Sequence, residues 1–404
     1  MLVVGAGPAG SATAMHLARG GAKVLLADRA RFPRDKPCGG GLTGRALRYA
    51  PCDVSPVVEH LVERIVLRLA YRRRFARTSH SPLILMTQRR RLDAYLAEQA
   101  AAHGVDFRDG ARVEAIDLEG DGASATVGGS RVSVSYVVGA DGANGVVAKA
   151  AGLGDGIVCG IALEGNAAWG AIQPMPYTRT AWVELGVVPG GYGWVFPKGD
   201  HANVGVGGWI AEGPMLRFHL DRLARSHCLD PGELRDVRGH RLPMRHLGAP
   251  AAKDRFLLVG DAAGLVDPLS GDGIYEAFVS AKLAARAILT ATVDDYSLSL
   301  SAALDRHASA SWTAKRVADR FPWACFWAAR SPGVFDAVAG LLRGDLAHPS
   351  DARGLARPPL RVLSRLARLS LEGCDSLTSL PSSSARTRSS RRFGGSRSRS
   401  DQAP

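Results

Sequence analysis

The chain has 404 residues, 46% of them apolar and 22% charged, with a formal net charge of +13. That length spans about two to three domains, and the composition excludes a collagenous or wholly disordered protein. The charge is uneven: eleven of the 51 basic residues and three of the 38 acidic ones fall in 353–404, so residues 1–352 carry only +5 and no nucleic-acid partner is expected for the folded body.

Residues 1–4 are a short apolar run, followed by Gly5-Ala6-Gly7-Pro8-Ala9-Gly10 and a helical stretch that Gly20 and Gly21 stop. A second strand over 23–27 ends in Asp28, eighteen residues beyond Gly10, the spacing of a dinucleotide-binding βαβ unit whose acid meets a ribose hydroxyl. Each glycine has its own reason: Gly5 permits the tight turn, Gly7 lets the main chain approach a pyrophosphate, and Gly10 lets helix and strand pack closely. Only four residues precede Gly5, where a buried parallel strand has about five or six, so the natural start is expected a few residues upstream. The apolar first eighteen residues lack a basic leader, so no signal peptide is expected. No apolar run of about 18 residues predicts a membrane span.

Next comes a Pro- and Gly-rich loop over 32–42, with Cys38 followed by three glycines. A helix is expected over 88–102, strands over 105–107 and 113–116, and a hairpin pairing 124–127 with 131–138. The run Val137-Val138-Gly139-Ala140-Asp141-Gly142 is a strand entering a Gly-flanked acid. Residues 157–209 alternate as an antiparallel sheet. A buried strand over 255–259 enters Gly260-Asp261-Ala262-Ala263-Gly264, and Asp267 to Gly273 precede a helix over 274–290 whose N-terminus suits an anion. Residues 312–342 are expected to be helical, with Trp323, Phe326 and Trp327 packed in the core. Leu360, Leu363, Leu366 and Leu369, interleaved with Arg361, Arg365 and Arg368, give a basic amphipathic helix over 360–371, which fits either an anionic membrane or a solvated surface. Residues 382–404 are Arg/Ser-rich and expected to be disordered. The six cysteines form no C-x-x-C pair, which argues for a reducing, cytoplasmic location, at most peripheral at the inner face of a membrane.

Four segments together resemble one family: Gly5-x-Gly-x-x-Gly10, Lys36-Pro-Cys-Gly-Gly-Gly41, Pro189-Gly-Gly-Tyr-Gly-Trp-Val-Phe-Pro197, and Gly260-Asp-Ala-Ala-Gly264 with Gly271-Asp-Gly273. They look like the geranylgeranyl reductase family of FAD-dependent oxidoreductases, within the group shared with aromatic hydroxylases. The resemblance implies an α/β fold: a Rossmann-like FAD-binding domain from 1–60, 84–152 and 250–295, an inserted antiparallel-sheet substrate domain from 61–83 and 153–249, and a C-terminal helical region over 296–352. The segment 353–404 is a basic tail, either an extension or a frame-shifted reading. By the resemblance, Gly5, Gly7, Gly10 and Asp28 hold the ADP half of FAD, with Arg89 and Val113 helping to place it. Cys38, Gly39 and Gly41 lie beside the flavin, Asp261 bonds the ribityl chain, and Gly273 and Ile274 offer backbone N–H groups to the pyrimidine edge. Tyr192, Trp194 and Phe196 contact substrate; strand alternation independently puts all three on one face, where an ordinary sheet core is the other reading. Gly145 and Ala148 stand where relatives carry Ser and Arg.

The reaction implied is reduction of an isolated C=C in a polyprenyl group by hydride from flavin N5, with a proton delivered to the neighbouring carbon. A free thiol is mostly protonated at neutral pH, so Cys38 is a candidate proton donor; a steric gate is its other role. Candidate substrates are a polyprenyl diphosphate, a prenylated lipid and a prenylquinone. Arg72, Arg73 and Arg74 suit either a diphosphate or solvent. No second glycine motif seats a nicotinamide, so electrons come from transiently docked NAD(P)H or a small redox protein. Two rival readings share the fold: an FAD-dependent monooxygenase of an aromatic or polyketide ring, and a non-catalytic flavin or lipid binder.

Overall fold

Short apolar runs that end in glycine or an acid become parallel strands whose carboxyl ends gather at one edge, and that edge positions everything described below. In the computed structural model, which describes residues 1–173 and 176–352 together with 354, 362, 365 and 366, Leu2–Val4 is the pivot. It pairs in parallel with Leu25–Ala27 on one side and Val137–Gly139 on the other, and Asp106–Arg108 and Phe256–Leu258 extend the sheet outward. Ala252–Lys253 closes one end as an antiparallel strand, making six in all. All three residues of Leu2–Val4 are buried, as a central parallel strand requires. The helices Pro8–Arg19, Arg89–Ala102 and Ile274–Leu289 cover this sheet, and an antiparallel three-stranded meander over 113–134 is appended to it.

The second layer is a seven-stranded sheet in the order Arg235–Met244, Val158–Ala168, His201–Trp209, Tyr192–Pro197, Thr180–Leu185, Arg64–Leu69 and Arg73–Thr78. Every pairing is antiparallel except Thr180–Leu185 on Arg64–Leu69. The helix Leu216–Ser226 lays Leu216, Leu220, Leu223 and Ala224 on one face of this sheet, at the spacing of a single helical stripe. The other face of the sheet turns toward the parallel-strand edge. A small third cluster, with Leu42, Leu92, Leu96, Ile274 and Phe278, packs among the helices Pro8–Arg19, Arg89–Ala102 and Ile274–Leu289.

Several expectations need correction. The hairpin strand expected over 131–138 ends at Val134, because Val137–Gly139 turns to pair in parallel with Leu2–Val4 instead. Beyond the alternating stretch over 157–209, and inside the 153–249 segment expected for the sheet domain, Arg235–Met244 adds an edge strand on Val158–Ala168. The helical segment over 312–342 is three helices, Tyr296–Arg320, Pro322–Ala329 and Pro332–Arg343, broken before each proline. Of its aromatic cluster only Phe326 is core; Trp323 and Trp327 are 54% and 46% exposed. No described helix is long and apolar enough to cross a membrane. The helix expected over 360–371 and the tail over 353–404 lie essentially outside the described residues.

Candidate functional site

A single cavity of about 720 Å³ runs from the glycine turn, past the Cys38 loop, to the seven-stranded sheet. It is lined by Gly5, Gly7, Asp28, Cys38, Gly39, Gly41, Arg89, Val113, Asp261, Gly273 and Ile274 on one side and by Tyr192, Trp194 and Phe196 on the other. Of the residues expected to hold FAD or to contact substrate, Gly10 alone is outside the wall. Its function is steric: a Cβ there would stand 1.8 Å from the Gly5 carbonyl oxygen, so the helix can approach the turn only as glycine.

The dinucleotide end is built from main chain and paired charges. Gly5 has φ +98°, a left-handed conformation that glycine adopts without strain. A Cβ on Gly7 would meet nothing closer than the tips of Arg89 and Arg34, at 3.6 and 3.7 Å, so this stretch of backbone is open to a ligand. Asp28 accepts from the Ala6 N–H at 2.8 Å and the Ala30 N–H at 2.8 Å, fixing the turn from behind. Arg89 is buried and makes two bonds to Asp93, at 2.7 and 2.8 Å; Arg34 reaches the same carboxylate at 2.6 Å. Burial opposes the Arg89 charge, but Asp93 more than offsets it and the guanidinium is held protonated.

In the middle of the cavity, Asp261 is held by Lys36 at 3.0 Å and His240 at 3.5 Å. Burial would raise its pKa, yet the Lys36 ammonium and the hydrogen bond from His240 keep the carboxyl well below the usual range. The N–H of Ile274 is taken by Asp272 Oδ1 at 3.0 Å, so the helix start carries its own carboxylate cap. The second oxygen of Asp272 is buried without a partner. Gly145, one of the departures from the family pattern, lets the Asp141 carboxylate fold back on the N–H groups of Val146 and Val147, at 2.6 and 3.1 Å. A Cβ at Gly145 would stand 2.1 Å from Asp141 Cγ. Asn144 and Gly145 still line the cavity, whereas Ala148 does not.

The sheet end is aromatic above and polar beneath. Tyr192, Trp194 and Phe196 share one face of their strand, with successive ring centroids 5.9 and 6.3 Å apart. Trp194 lies flat over Gly205, where a Cβ would come within 2.1 Å of the indole, and its Nε1 donates to Asn203 Oδ1 at 2.7 Å. Gly39 abuts Phe196, which joins the Cys38 loop to this wall. The Cys38 N–H donates to Glu164 Oε1 at 2.7 Å, and the Cys38 thiol accepts from the Gly40 N–H at 3.3 Å. Lys198 Nζ donates to the carbonyls of Thr87 and Cys38, at 2.9 and 3.3 Å. Burial pushes the Glu164 carboxyl up, against the pull of Lys198, and pushes the Lys198 ammonium down. Glu164, Lys198 and Asn203 were not singled out in the sequence. The available signal was a carboxylate, an ammonium and an amide inside otherwise apolar, alternating strands, where a charge is costly unless partnered.

This donor set fits FAD: an open main-chain turn with Asp28 behind it, cationic side chains over the phosphate end, and a cavity of about 720 Å³ that continues to the aromatic face. Residues 1–160 match the FAD binding domain family. A menaquinone reductase from Mycolicibacterium smegmatis is 30% identical over 391 residues, 88% of this chain and 94% of that protein. The chain belongs to the geranylgeranyl reductase family of FAD-dependent oxidoreductases. A chloroplastic geranylgeranyl diphosphate reductase from Nicotiana tabacum is 32% identical over 317 residues, covering 71% of this chain and 65% of that one. The solved structure of a geranylgeranyl bacteriochlorophyll reductase-like protein from Thermoplasma acidophilum superposes with a TM-score of 0.68 over 93% of this chain and 98% of the other, at 24% identity, a likeness of fold.

Proposed function

We propose that this family member saturates C=C bonds of a polyprenyl group, carried by a polyprenyl diphosphate, a prenylated lipid or a prenylquinone. FAD, when bound, supplies the hydride at its N5. The observation that carries this reading is the continuity of one cavity from the glycine turn to the Tyr192, Trp194 and Phe196 face. A hydrocarbon tail offers no hydrogen bonds, so only shape and apolar contact can hold an isolated alkene still, and three successive rings on one face of a strand provide both.

The chain's own residues divide the work. Gly5, Gly7 and Arg89 seat the phosphate end and Asp261 meets the polyol linker. Gly39 and Gly41 let the loop lie flat against the cofactor. At the Cys38 loop two lining groups can carry a transferable proton: the Cys38 thiol and the Glu164 carboxyl, which burial keeps protonated to higher pH than an exposed acid. We assign Cys38 as donor or gate and Glu164 as the proton store that also fixes the Cys38 backbone. NAD(P)H or a small redox protein then supplies the electrons.

The test is anaerobic. Flavin on the purified protein is reduced with dithionite and its reoxidation followed on adding geranylgeranyl diphosphate, then menaquinone. Reoxidation without oxygen, with a product heavier by two hydrogens per double bond, is the expected result and names the substrate. Flavin that reoxidises only in air, with an oxygenated product, assigns a monooxygenase instead, and reoxidation by air without any product leaves only a binder.

A further inference from the structure

The helix Pro322–Ala329 stands apart from the other helices of the described residues: it is almost wholly apolar, yet two of its largest side chains face outward. Trp323 and Trp327 lie four residues apart, one helical turn, so they share a face, and both are about half exposed. On the inner face Ala324 and Phe326 are buried, with Phe326 packed edge-on to Phe75 at 5.1 Å between centroids. Phe75 sits on Arg73–Thr78, the outermost strand of the seven-stranded sheet, and alternation puts Arg73 and Arg77 on the same face as Phe75. Arg73 lies 5.7 Å from the Trp327 ring centroid and Arg330 lies 4.8 Å from it. Arg77 lies 5.5 Å from the Phe75 ring and donates to the Arg330 carbonyl. None of these three arginines enters an ion pair among the described residues; each stacks on an aromatic ring.

We propose that this tryptophan and arginine face docks the protein on an anionic lipid bilayer. Half-exposed tryptophan beside cations with no acidic partner is poor as a water-facing surface. At a membrane the same pair is favourable, because indole rings settle at headgroup depth and each arginine meets anionic headgroups. The charge on the face selects an anionic surface over a neutral one. Position fits as well: the helices on either side, Tyr296–Arg320 and Pro332–Arg343, contribute Lys315 and Leu342 to the cavity wall. The docking helix is thus flanked by the cavity's own C-terminal wall. This inference stands independently of which alkene is reduced.

The test uses the full chain with flavin bound, sedimented with vesicles of phosphatidylcholine containing phosphatidylglycerol and with vesicles of phosphatidylcholine alone. Wild type is expected to pellet with the anionic vesicles only, less so at high salt, with a blue shift in tryptophan emission. Trp323→Ala with Trp327→Ala removes the emission shift and most of the binding, and each of Arg73→Gln and Arg330→Gln weakens partitioning about fivefold. Retained flavin absorbance shows that each variant is folded. The proposal is overturned by wild type that ignores anionic vesicles. It is equally overturned by variants that bind like wild type, which would move the contact to the basic segment beyond 353, and by a wild-type dimer that these variants convert to monomer, which would make the face a self-interface.

Discussion

The cavity has two walls made by opposite means. The wall at the parallel-strand edge is mostly main chain: Gly5, Gly7, Gly39, Gly41 and Gly273 present backbone, and Asp28, Arg89 and Asp261 are each fixed by a partner. The sheet wall is mostly side chain: three rings in a row, with Glu164, Asn203 and Lys198 beneath. A backbone wall recognises a group that never changes, because glycine geometry leaves nothing to vary. A side-chain wall can be recut residue by residue while the fold stays the same. On the proposed function the first wall speaks to the cofactor and the second to the substrate, and variants should separate the two.

The largest effect on bound flavin is expected at Gly10, which does not line the cavity. Gly10→Ala puts a Cβ 1.8 Å from the Gly5 carbonyl oxygen, against main chain that cannot swing away. The turn must move, at a cost at or above the ~1–3 kcal/mol typical of overpacking, and bound flavin should be lost. The ratio of flavin to protein absorbance reads this directly. A variant that keeps its flavin would show that the turn tolerates displacement and would weaken the view of this wall as rigid.

Trp194→Ala tests the other wall. It leaves a cavity over Gly205 and strips Asn203 Oδ1 of its donor, which together predict about 3–5 kcal/mol of lost stability by chemical denaturation. Flavin content should hold near wild type, while anaerobic reoxidation by substrate slows roughly 100-fold. Loss of flavin in step with loss of turnover would mean that the two walls are not separable.

Glu164→Gln is subtler and shows itself in pH. Burial raises the carboxyl above its unfolded value, so the folded protein binds that proton more tightly. Stability then falls as pH rises from the ordinary carboxylate range through the folded pKa. The proton for delivery is present below that folded pKa and lost above it. The glutamine variant should therefore lose this alkaline limb in both stability and reoxidation rate, with the Cys38 loop still hydrogen-bonded through the amide oxygen. An unchanged pH profile would leave Cys38 as the proton source and Glu164 as a loop anchor.

The backbone wall was legible in the sequence, and the side-chain wall only partly so. Gly5, Gly7 and Gly10 announce a turn because their spacing has one physical solution, and Asp28 follows at the distance that a helix and a strand impose. Tyr192, Trp194 and Phe196 show their common face by alternation, but alternation cannot say whether that face meets a core or a cavity. Glu164 carries no local signal beyond being a charge in an apolar strand, since its partners Cys38 and Lys198 are remote in sequence. The edge strand Arg235–Met244 was hidden because it is largely polar and contains Pro243, which an edge tolerates. The helix Leu216–Ser226 did carry its stripe of Leu216, Leu220 and Leu223. The single helical segment expected over 312–342 failed at Pro322 and Pro332, where a helix can start but not continue.

The smallest effect is expected where the walls meet. The Tyr192 hydroxyl donates to the Ser270 carbonyl, tying the aromatic strand to the loop that leads into Ile274–Leu289. Burial pushes this phenol well above its ordinary pKa, with Asp267 and Asp272 adding to the effect, so it remains a donor throughout the accessible pH range. Tyr192→Phe keeps the ring and removes only that bond, worth ~1 kcal/mol. Flavin content and the pH profile should stay as in wild type. What should change is the coupling between walls: in wild type, flavin binding is expected to steepen protection of the 192–197 strand against hydrogen exchange, and in the variant that gain should shrink. If flavin protects the strand equally in both, the walls communicate through the Gly39 contact with Phe196 instead, and the tyrosine serves its ring alone.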